Sequence, residues 1–147
     1  VLLELAGCKN RYHAPLARTL VIGSASSALE DTARAVIEGL NTVIDFIEPE
    51  ITGEEIEEKW REAVAGSAVV KMSRIGYSFG LNYPPDWGEH TISLRPGDKH
   101  LLKPGMTLHL MPGIWEKDFG FECSEPIRVT ESGCEPLTDF PRKLFIK

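Results

Sequence analysis

Cysteine is scarce in this sequence, and no long apolar run occurs in it. The 147 residues include three cysteines, Cys8, Cys123 and Cys134, and no C-x-x-C pair. A small and odd number of cysteines excludes a disulfide-rich scaffold and suits a reducing compartment. We therefore expect a cytoplasmic protein. No stretch is apolar over the length needed to cross a bilayer, which argues against a membrane partner.

Positive charge is also in short supply. The 16 Lys and Arg residues are outnumbered by 22 Asp and Glu residues, which gives a formal net charge of −6. That balance argues against nucleic acid as the main partner. Hydrophobic residues make up 42% of the chain, enough for the core expected of one domain.

The first residues predict a strand that lacks a neighbour. The run Val1-Leu2-Leu3-Glu4-Leu5 is apolar except for Glu4, and no turn precedes it. An apolar strand with an unpaired edge promotes aggregation, so native domains usually cover such a strand. We therefore expect this chain to be a fragment of a longer protein.

Two helices are predicted in the first half of the chain. Apolar residues from Leu29 to Ile47 repeat at helical spacing, and Pro49 ends that helix because proline cannot continue it. Thr52 and Glu55 have the spacing of a capping box, which predicts the start of a second helix that Gly66 ends.

Strands are predicted on both sides of these helices. Before them, strand patterns at 1–5 and 14–22 flank a polar turn at 8–11. After them, strand patterns occur at 69–81, 106–111, 119–130 and 144–146, and a Pro- and Gly-rich stretch at 83–97 predicts a loop. The order of elements indicates an α+β fold in which helices cover one side of an antiparallel sheet.

Three segments carry a resemblance to a known family. The first is a strand-turn-strand that begins L-E-L-A-G at 3–7 and ends A-R-T at 17–19. The second is R-I-G-Y-S-F-G at 74–80, and the third is K-P-G-M at 103–106, followed by M-P at 111–112 and V-T-E-S-G at 129–133. In this order and spacing they resemble the pita-bread family of aminopeptidases, prolidases and creatinase.

The resemblance implies a partial pita-bread fold, with an antiparallel curved sheet and two main helices on one face. It also implies that residues 1–147 are the C-terminal part of the catalytic domain, with the start of that domain and an N-terminal domain outside the chain. Members of the family complete their active site as homodimers, so we expect a homodimer of the full-length protein and an inactive fragment.

Five positions that hold metal ligands in this family have changed here. On the quoted motifs they fall on Glu4, Pro15, Tyr77, Met111 and Ser124. Divalent ions of this class need anionic oxygen and imidazole ligands, which Pro and Met lack. A one-residue shift would substitute Glu125 for Ser124 and still leave at most two carboxylates. We therefore predict no metal and no other cofactor.

Within the family, creatinase hydrolyses a C–N bond without a metal. The two carboxylates that hold creatine would fall on Ala17 and Met111, so creatine itself is a poor candidate. The segments at 4–14, 83–90 and 109–115 resemble the ectoine hydrolase group instead. This resemblance implies a small-molecule substrate, ectoine, whose ring is opened to N-acetyl-diaminobutyrate.

Ectoine is a cyclic amidinium carboxylate with an electrophilic carbon between two nitrogens. A carboxylate can bind this cation and then activate water or attack the carbon directly. The resemblance puts the catalytic centre at Glu4. Strand alternation puts His13 on the same inward face as Pro15 and Ala17, so His13 is a candidate proton shuttle or hydrogen-bond donor.

Five further residues are candidates for substrate binding. Tyr77 can orient the substrate, and Met111 can supply an apolar wall where the family has a metal. Alternation from Ser124 turns Glu122 inward as a second carboxylate. The last two candidates, Asp86 and Trp87, lie on the predicted loop, where gating residues are often found.

Each candidate also has a structural interpretation. Glu4 can be solvated or paired with Arg18, and His13 can be a structural hydrogen-bonding residue. Tyr77, Met111, Trp87 and Glu122 can serve in packing or lie on an exposed edge. Two other functions remain open: a metal-dependent Xaa-Pro peptidase with unusual ligands, and a non-catalytic pita-bread module that binds a partner.

Overall fold

A long β-hairpin opens the fold. The computed structural model describes residues 1–147, and the hairpin consists of β1 (Leu2–Lys9) and β2 (Tyr12–Val21) in antiparallel register. Asn10 and Arg11 form the turn with φ angles of 52° and 69°. Two successive positive φ angles match the right-handed twist of a two-residue hairpin. Both strands therefore reach further toward the turn than the sequence predicts.

Helices α1 (Ser27–Phe46) and α2 (Gly53–Val64) confirm the predicted pair. Ser26 caps α1, because its hydroxyl accepts the N–H of Leu29. The predicted capping box opens α2: the N–H of Thr52 donates to Glu55 at 2.8 Å, and the N–H of Glu55 donates back at 3.3 Å. Reciprocal caps of this kind satisfy amide groups that have no partner within the helix.

The remaining strands are short. They are β3 (Gly76–Phe79), β4 (Gly88–Leu94), β5 (Thr107–Leu110), β6 (Ile114–Trp115), β7 (Gly120–Phe121), β8 (Glu125–Val129), β9 (Cys134–Pro136) and β10 (Phe145–Ile146). An antiparallel sheet has the order β4-β3-β5-β8-β9, and β6 pairs with β7. The opening hairpin forms a separate sheet with β10, which runs parallel to β2.

Three strand predictions need correction. The stretch 83–97 was expected to be a loop, but β4 occupies its second half, where Ile92 and Leu94 turn into the core. The strand predicted at 69–81 is confined to β3. The strand predicted at 119–130 divides into β7 and β8, because residues between them bond to β2 instead: the N–H of Ser124 donates to the carbonyl of Ala17 at 3.1 Å.

Alternation gives the five-stranded sheet two different faces. On β5, Leu108 and Leu110 belong to the apolar core that both helices cover. His109 lies between them and faces the opposite side, as does its register partner Tyr77 on β3. The polar face of the sheet is therefore the face away from the helices. No helix in the chain has the length and apolar character needed to cross a bilayer.

Candidate active site

The hairpin brings Glu4 to the edge of the polar face. Glu4 is the register partner of Ala17, and its carboxylate is exposed in this chain. The N–H of Ala17 donates to Oγ of Ser124 at 2.7 Å, which fastens the hairpin to the segment before β8. Burial raises the pKa of Tyr77 and of Glu122, and the charge of Glu4 raises both further. The structure therefore brings Glu4, Tyr77 and Glu122 into one electrostatic neighbourhood.

Tyr77 lies at the centre of a chain of hydrogen bonds. Its hydroxyl accepts the indole N–H of Trp87 at 2.7 Å and lies 3.0 Å from Nδ1 of His109. Nε2 of His109 lies 2.7 Å from Oγ of Ser124. The rings of Tyr77 and His109 meet edge to face, with centroids 5.3 Å apart. These contacts hold the Tyr77 side chain in one orientation.

His109 is completely buried. Burial, followed by the positive charges of Arg18 and Arg74, lowers the pKa of His109 to about 3. The imidazole is therefore neutral over the physiological range, and it carries a single N–H.

Glu122 is the second carboxyl group of the site. It follows β7, and its backbone N–H and carbonyl both bond to the hydroxyl of Thr19 on β2 at 2.9 Å. The side chain is 1% exposed, and Oε1 has no hydrogen-bond partner. Burial, and then repulsion from Glu4, raises the pKa of Glu122 to about 7, although Lys71 acts in the opposite direction. The predicted inward orientation agrees with this burial.

Two cations lie in this region, Lys71 near Glu122 and Arg74 against Tyr77. Nζ of Lys71 donates to the carbonyl of Gly113 at 2.9 Å, and burial lowers the pKa of Lys71 while the charge of Glu122 raises it. The guanidinium carbon of Arg74 lies 4.4 Å from the centroid of the Tyr77 ring. None of the ion pairs in the chain includes Arg74. The site thus contains cationic and carboxyl side chains, and Arg74 is a cation in it that forms no ion pair.

His13 is buried on the inward face of β2, as alternation predicts, but it lies away from Glu4. Its register partner is Cys8, so it is four residues from Ala17, or about 13 Å along the strand. Its Nδ1 lies 3.3 Å from the carbonyl of Gly80, and Nε2 has no partner. The structure shows no hydrogen bond between His13 and Glu4, so a proton-shuttle role stays a prediction.

The two predicted loop candidates have different environments. Trp87 reaches Tyr77, as described above. Asp86 is exposed, accepts the N–H of Gly88 at 2.9 Å and pairs with His90 at 2.8 Å, and these contacts hold its pKa below the usual value. Both residues line a cavity of about 300 Å³, together with Arg74, Tyr77, Pro85, Gly88 and His90.

Met111 lies just beyond β5 and is half-buried. Its N–H donates to the carbonyl of Ile75 at 2.7 Å, and it is two residues from His109, hence on the same face by alternation. Its role as an apolar wall where the family has a metal stays a prediction.

Sequence reasoning did not assign roles to His109, Lys71 or Arg74. One signal was available for His109: it is two residues before Met111 in a strand pattern, so it shares the face of a candidate residue. No comparable signal existed for Lys71 and Arg74, which lie in or beside an irregular segment. The positions of Lys71 and Arg74 depend on the path of residues 71–75 toward the sheet.

A model of metallopeptidase family M24 matches residues 1–131. This chain belongs to metallopeptidase family M24. An ectoine hydrolase of Halomonas elongata is 44% identical to the M24 chain over 150 residues, covering 98% of this chain and 36% of the relative. A Xaa-Pro dipeptidase of Pyrococcus furiosus is 26% identical over 148 residues, covering 99% of this chain and 41% of that protein. The M24 chain thus spans less than half the length of these relatives.

Solved structures confirm the predicted fold. A dipeptidase from Pyrococcus horikoshii superposes with a TM-score of 0.89 and 22% identity, over 99% of this chain and 40% of that one. At this level of identity the likeness concerns the fold alone. The M24 chain therefore has the pita-bread fold over the part that it contains, with the α+β class predicted from its sequence.

The side chains of this M24 chain do not fit a metal of the family. Of the five changed ligand positions described above, only Glu4 retains a carboxylate. Glu125, the shifted alternative, is buried in an ion pair with Arg18 and Arg142. No group of three His, Cys, Asp or Glu side chains in the chain can hold one ion. The donor set thus differs from the anionic and imidazole set that such a metal needs.

Proposed function

We propose that the protein carrying this chain is a hydrolase that opens the cyclic amidine ring of ectoine without a bound metal. The observation that carries the proposal concerns two carboxyl groups: Glu4, at a position where the family has a metal ligand, and the buried Glu122, whose Oε1 has no hydrogen-bond partner. Burial, and then the charge of Glu4, raises the pKa of Glu122. Carboxyl groups in this position can bind an amidinium by charge and hydrogen bonding. The 44% identity to an ectoine hydrolase supports ectoine as the substrate.

In the proposed reaction, Glu4 acts on the amidinium carbon. Either it removes a proton from a water molecule whose oxygen bonds to that carbon, or its own oxygen forms the bond and water later releases the acyl group. In both routes one ring C–N bond breaks, and the products are an amide and an ammonium group on the same molecule, N-acetyl-diaminobutyrate.

The departing ring nitrogen needs a proton, and Glu122 can supply it. A carboxyl group with a pKa of about 7 is partly protonated near neutral pH, whereas an ordinary glutamate is not. We therefore propose Glu122 as the acid and Glu4 as the base or nucleophile. Tyr77, Trp87 and Met111 are proposed to position the ring, with Asp86 at the entrance.

Three proposals concern the whole protein. Residues 1–147 form the C-terminal part of a larger catalytic domain, which is consistent with coverage of 36% of the ectoine hydrolase. The full-length protein forms a homodimer that completes the active site around a small-molecule substrate. The three free cysteines suit a reducing compartment, so we propose that the protein acts in the cytoplasm.

Replacement of Glu4 by Gln tests the assignment. In the full-length protein, Glu4→Gln should reduce ectoine turnover at least about 1,000-fold, because it removes the base or nucleophile while preserving size. Formation of N-acetyl-diaminobutyrate is followed by NMR. The exposed Glu58 provides the control, and Glu58→Gln should retain full activity. Turnover by Glu4→Gln within tenfold of the unmodified protein would exclude this role of Glu4.

A second candidate is a Xaa-Pro dipeptidase, which the 26% identity to such an enzyme supports. It requires a metal that these side chains do not fit. Hydrolysis of a Xaa-Pro dipeptide that depends on added manganese, without hydrolysis of ectoine, would favour it. Absence of both activities from the unmodified full-length protein, together with an unchanged biological role in Glu4→Gln, would favour the non-catalytic binding module.

A further inference from the structure

Successive hydrogen bonds link the side chains of Trp87, Tyr77, His109 and Ser124. These bonds determine which atoms carry the protons. Ser124 is completely buried, and its Oγ accepts the N–H of Ala17 at 2.7 Å. The same oxygen lies 2.7 Å from Nε2 of the neutral His109. A hydroxyl group has one proton to donate, and a neutral imidazole has one donor and one acceptor nitrogen.

Only one tautomer of His109 satisfies Ser124. If Nε2 carried the proton, Ser124 would accept two hydrogen bonds, and its own proton would have no acceptor in a buried position. If Nδ1 carries the proton, Ser124 donates to Nε2, and both groups are satisfied. Either tautomer leaves one hydroxyl proton without an acceptor in the chain: that of Ser124, which is 0% exposed, or that of Tyr77, which borders the cavity of about 300 Å³. An unsatisfied donor is most unfavourable where no ligand or solvent can reach it, so the second arrangement is favoured. His109 therefore donates from Nδ1 to the hydroxyl oxygen of Tyr77.

In this arrangement the hydroxyl proton of Tyr77 has no hydrogen-bond acceptor. Its oxygen accepts two hydrogen bonds, from Trp87 and from His109, and no acceptor for the O–H is present in the chain. Tyr77 is 8% exposed and borders the cavity of about 300 Å³. The hydroxyl is thus held as a donor toward whatever occupies that cavity.

Arg74 adds a positive charge to the same cavity. It is half-buried against the face of the Tyr77 ring and forms no ion pair in the chain. The one acid that lines the cavity, Asp86, already bonds to His90 and to the N–H of Gly88. A half-buried guanidinium without an anion favours an anionic ligand, and planar carboxylates match its geometry.

We infer that Arg74 and the Tyr77 hydroxyl form the subsite that binds the carboxylate of the substrate, and that His109 is the positioning residue that keeps Tyr77 a donor. This inference rests on the proposed function and deepens it. An amidinium has only donors and cannot accept from Tyr77 or Arg74, so it faces Glu4 and Glu122 instead. The site therefore selects a zwitterion with an amidinium at one end and a carboxylate at the other.

The test compares ectoine with the same cyclic amidine lacking its carboxylate, in the full-length protein. Arg74→Gln should raise KM for ectoine about 10- to 100-fold and change KM for the decarboxylated ring less than about threefold. Tyr77→Phe should show the same selectivity. Arg95, which is exposed and outside the site, provides the control, and Arg95→Gln should leave both KM values unchanged. Equal losses on both substrates would overturn the inference.

The tautomer of His109 is measured independently of activity. In full-length protein labelled with ¹⁵N-histidine, long-range ¹H–¹⁵N correlations should show a protonated Nδ1 and an unprotonated Nε2. The signal is assigned by its loss in His109→Asn, whose side-chain N–H replaces Nδ1–H and should keep KM for ectoine within about fivefold. His109→Leu should raise KM at least as much as Tyr77→Phe. A protonated Nε2 would overturn the positioning role.

Failure of the proposed function gives a different result. If the full-length protein binds ectoine without hydrolysing it, the hydrolase proposal falls, and the ratio of Kd values for the two ligands in Arg74→Gln still decides the inference. If it binds ectoine and the decarboxylated ring equally well, the carboxylate subsite does not exist, whatever the protein hydrolyses.

Discussion

At the scale of single residues, burial gives Glu122 its chemical character. The side chain is 1% exposed, one of its carboxyl oxygens has no hydrogen-bond partner, and the negative charge of Glu4 acts in the same direction as burial on its pKa. Both influences favour the protonated form. Two glutamates on one face can thereby differ in protonation at neutral pH, which general acid–base catalysis requires.

The raised pKa of Glu122 predicts that the stability of the protein depends on pH. The folded-state pKa of about 7 lies above the ordinary value of 4.5, so the folded protein binds the proton more tightly. The stabilisation is complete below pH 4.5 and is lost as the pH rises through 7, with a total effect of about 3 kcal/mol. Glu122→Gln should lack this decline when urea unfolding is measured from pH 4.5 to 8. Parallel pH profiles of Glu122→Gln and the unmodified protein would contradict the burial argument.

The sequence predicts part of the site at this scale. Alternation from the family positions correctly turns Glu122 and His13 inward, since that inference needs only a strand. It could not reveal that His109 bonds to Tyr77 and Ser124, because those contacts depend on the register of β3 against β5 and on the path of residues 122–125. It also could not show that His13 is displaced from Glu4 along β2.

At the scale of elements, the packing of the two helices depends on Gly39. A Cβ atom at this position of α1 would lie 2.9 Å from Nε1 of Trp60 and 2.9 Å from Cγ1 of Val64, both on α2. Such distances are shorter than normal van der Waals contact. The absence of a side chain thus allows the close approach of the two helices.

Substitution of Gly39 by Ala tests this contact. In an open helix the change would stabilise the protein by about 1 kcal/mol. Here we expect a lower free energy of unfolding, by about 1 to 2 kcal/mol, because the overpacking term is larger. Urea denaturation measures the difference. Glu38→Ala, at the exposed neighbouring position, is the control and should change stability little. A more stable Gly39→Ala protein would show that the helices adjust freely.

The helices were predicted better than the strands for a physical reason. Their caps and their apolar period are local, and Ser26, Thr52 and Glu55 act within one turn of their own residues. Strands of two to five residues, such as β6, β7 and β8, carry too few alternations to define their ends. The pattern around Pro84 and Pro85 predicts a loop, and the loop ends just before β4, so the strand does not follow from this pattern.

At the scale of the whole molecule, the opening hairpin has one strand edge that no other element of this chain covers. The apolar side chains of Leu3 and Leu5 on β1 are 54% and 64% exposed, on a strand that pairs only on one side. Glu4 lies between them in the sequence and is also exposed. Covering this strand would lower the dielectric around Glu4 and strengthen its interaction with a bound cation. Activity must therefore be measured on the full-length protein.

Metal-free hydrolysis by carboxyl groups, in a family of metallopeptidases, can be tested on the full-length protein. Full-length protein is treated with a chelator, its metal content is determined by elemental analysis, and ectoine turnover is followed by NMR. Metal-free protein should form N-acetyl-diaminobutyrate at an undiminished rate. Activity that disappears with the chelator and returns with manganese would contradict it.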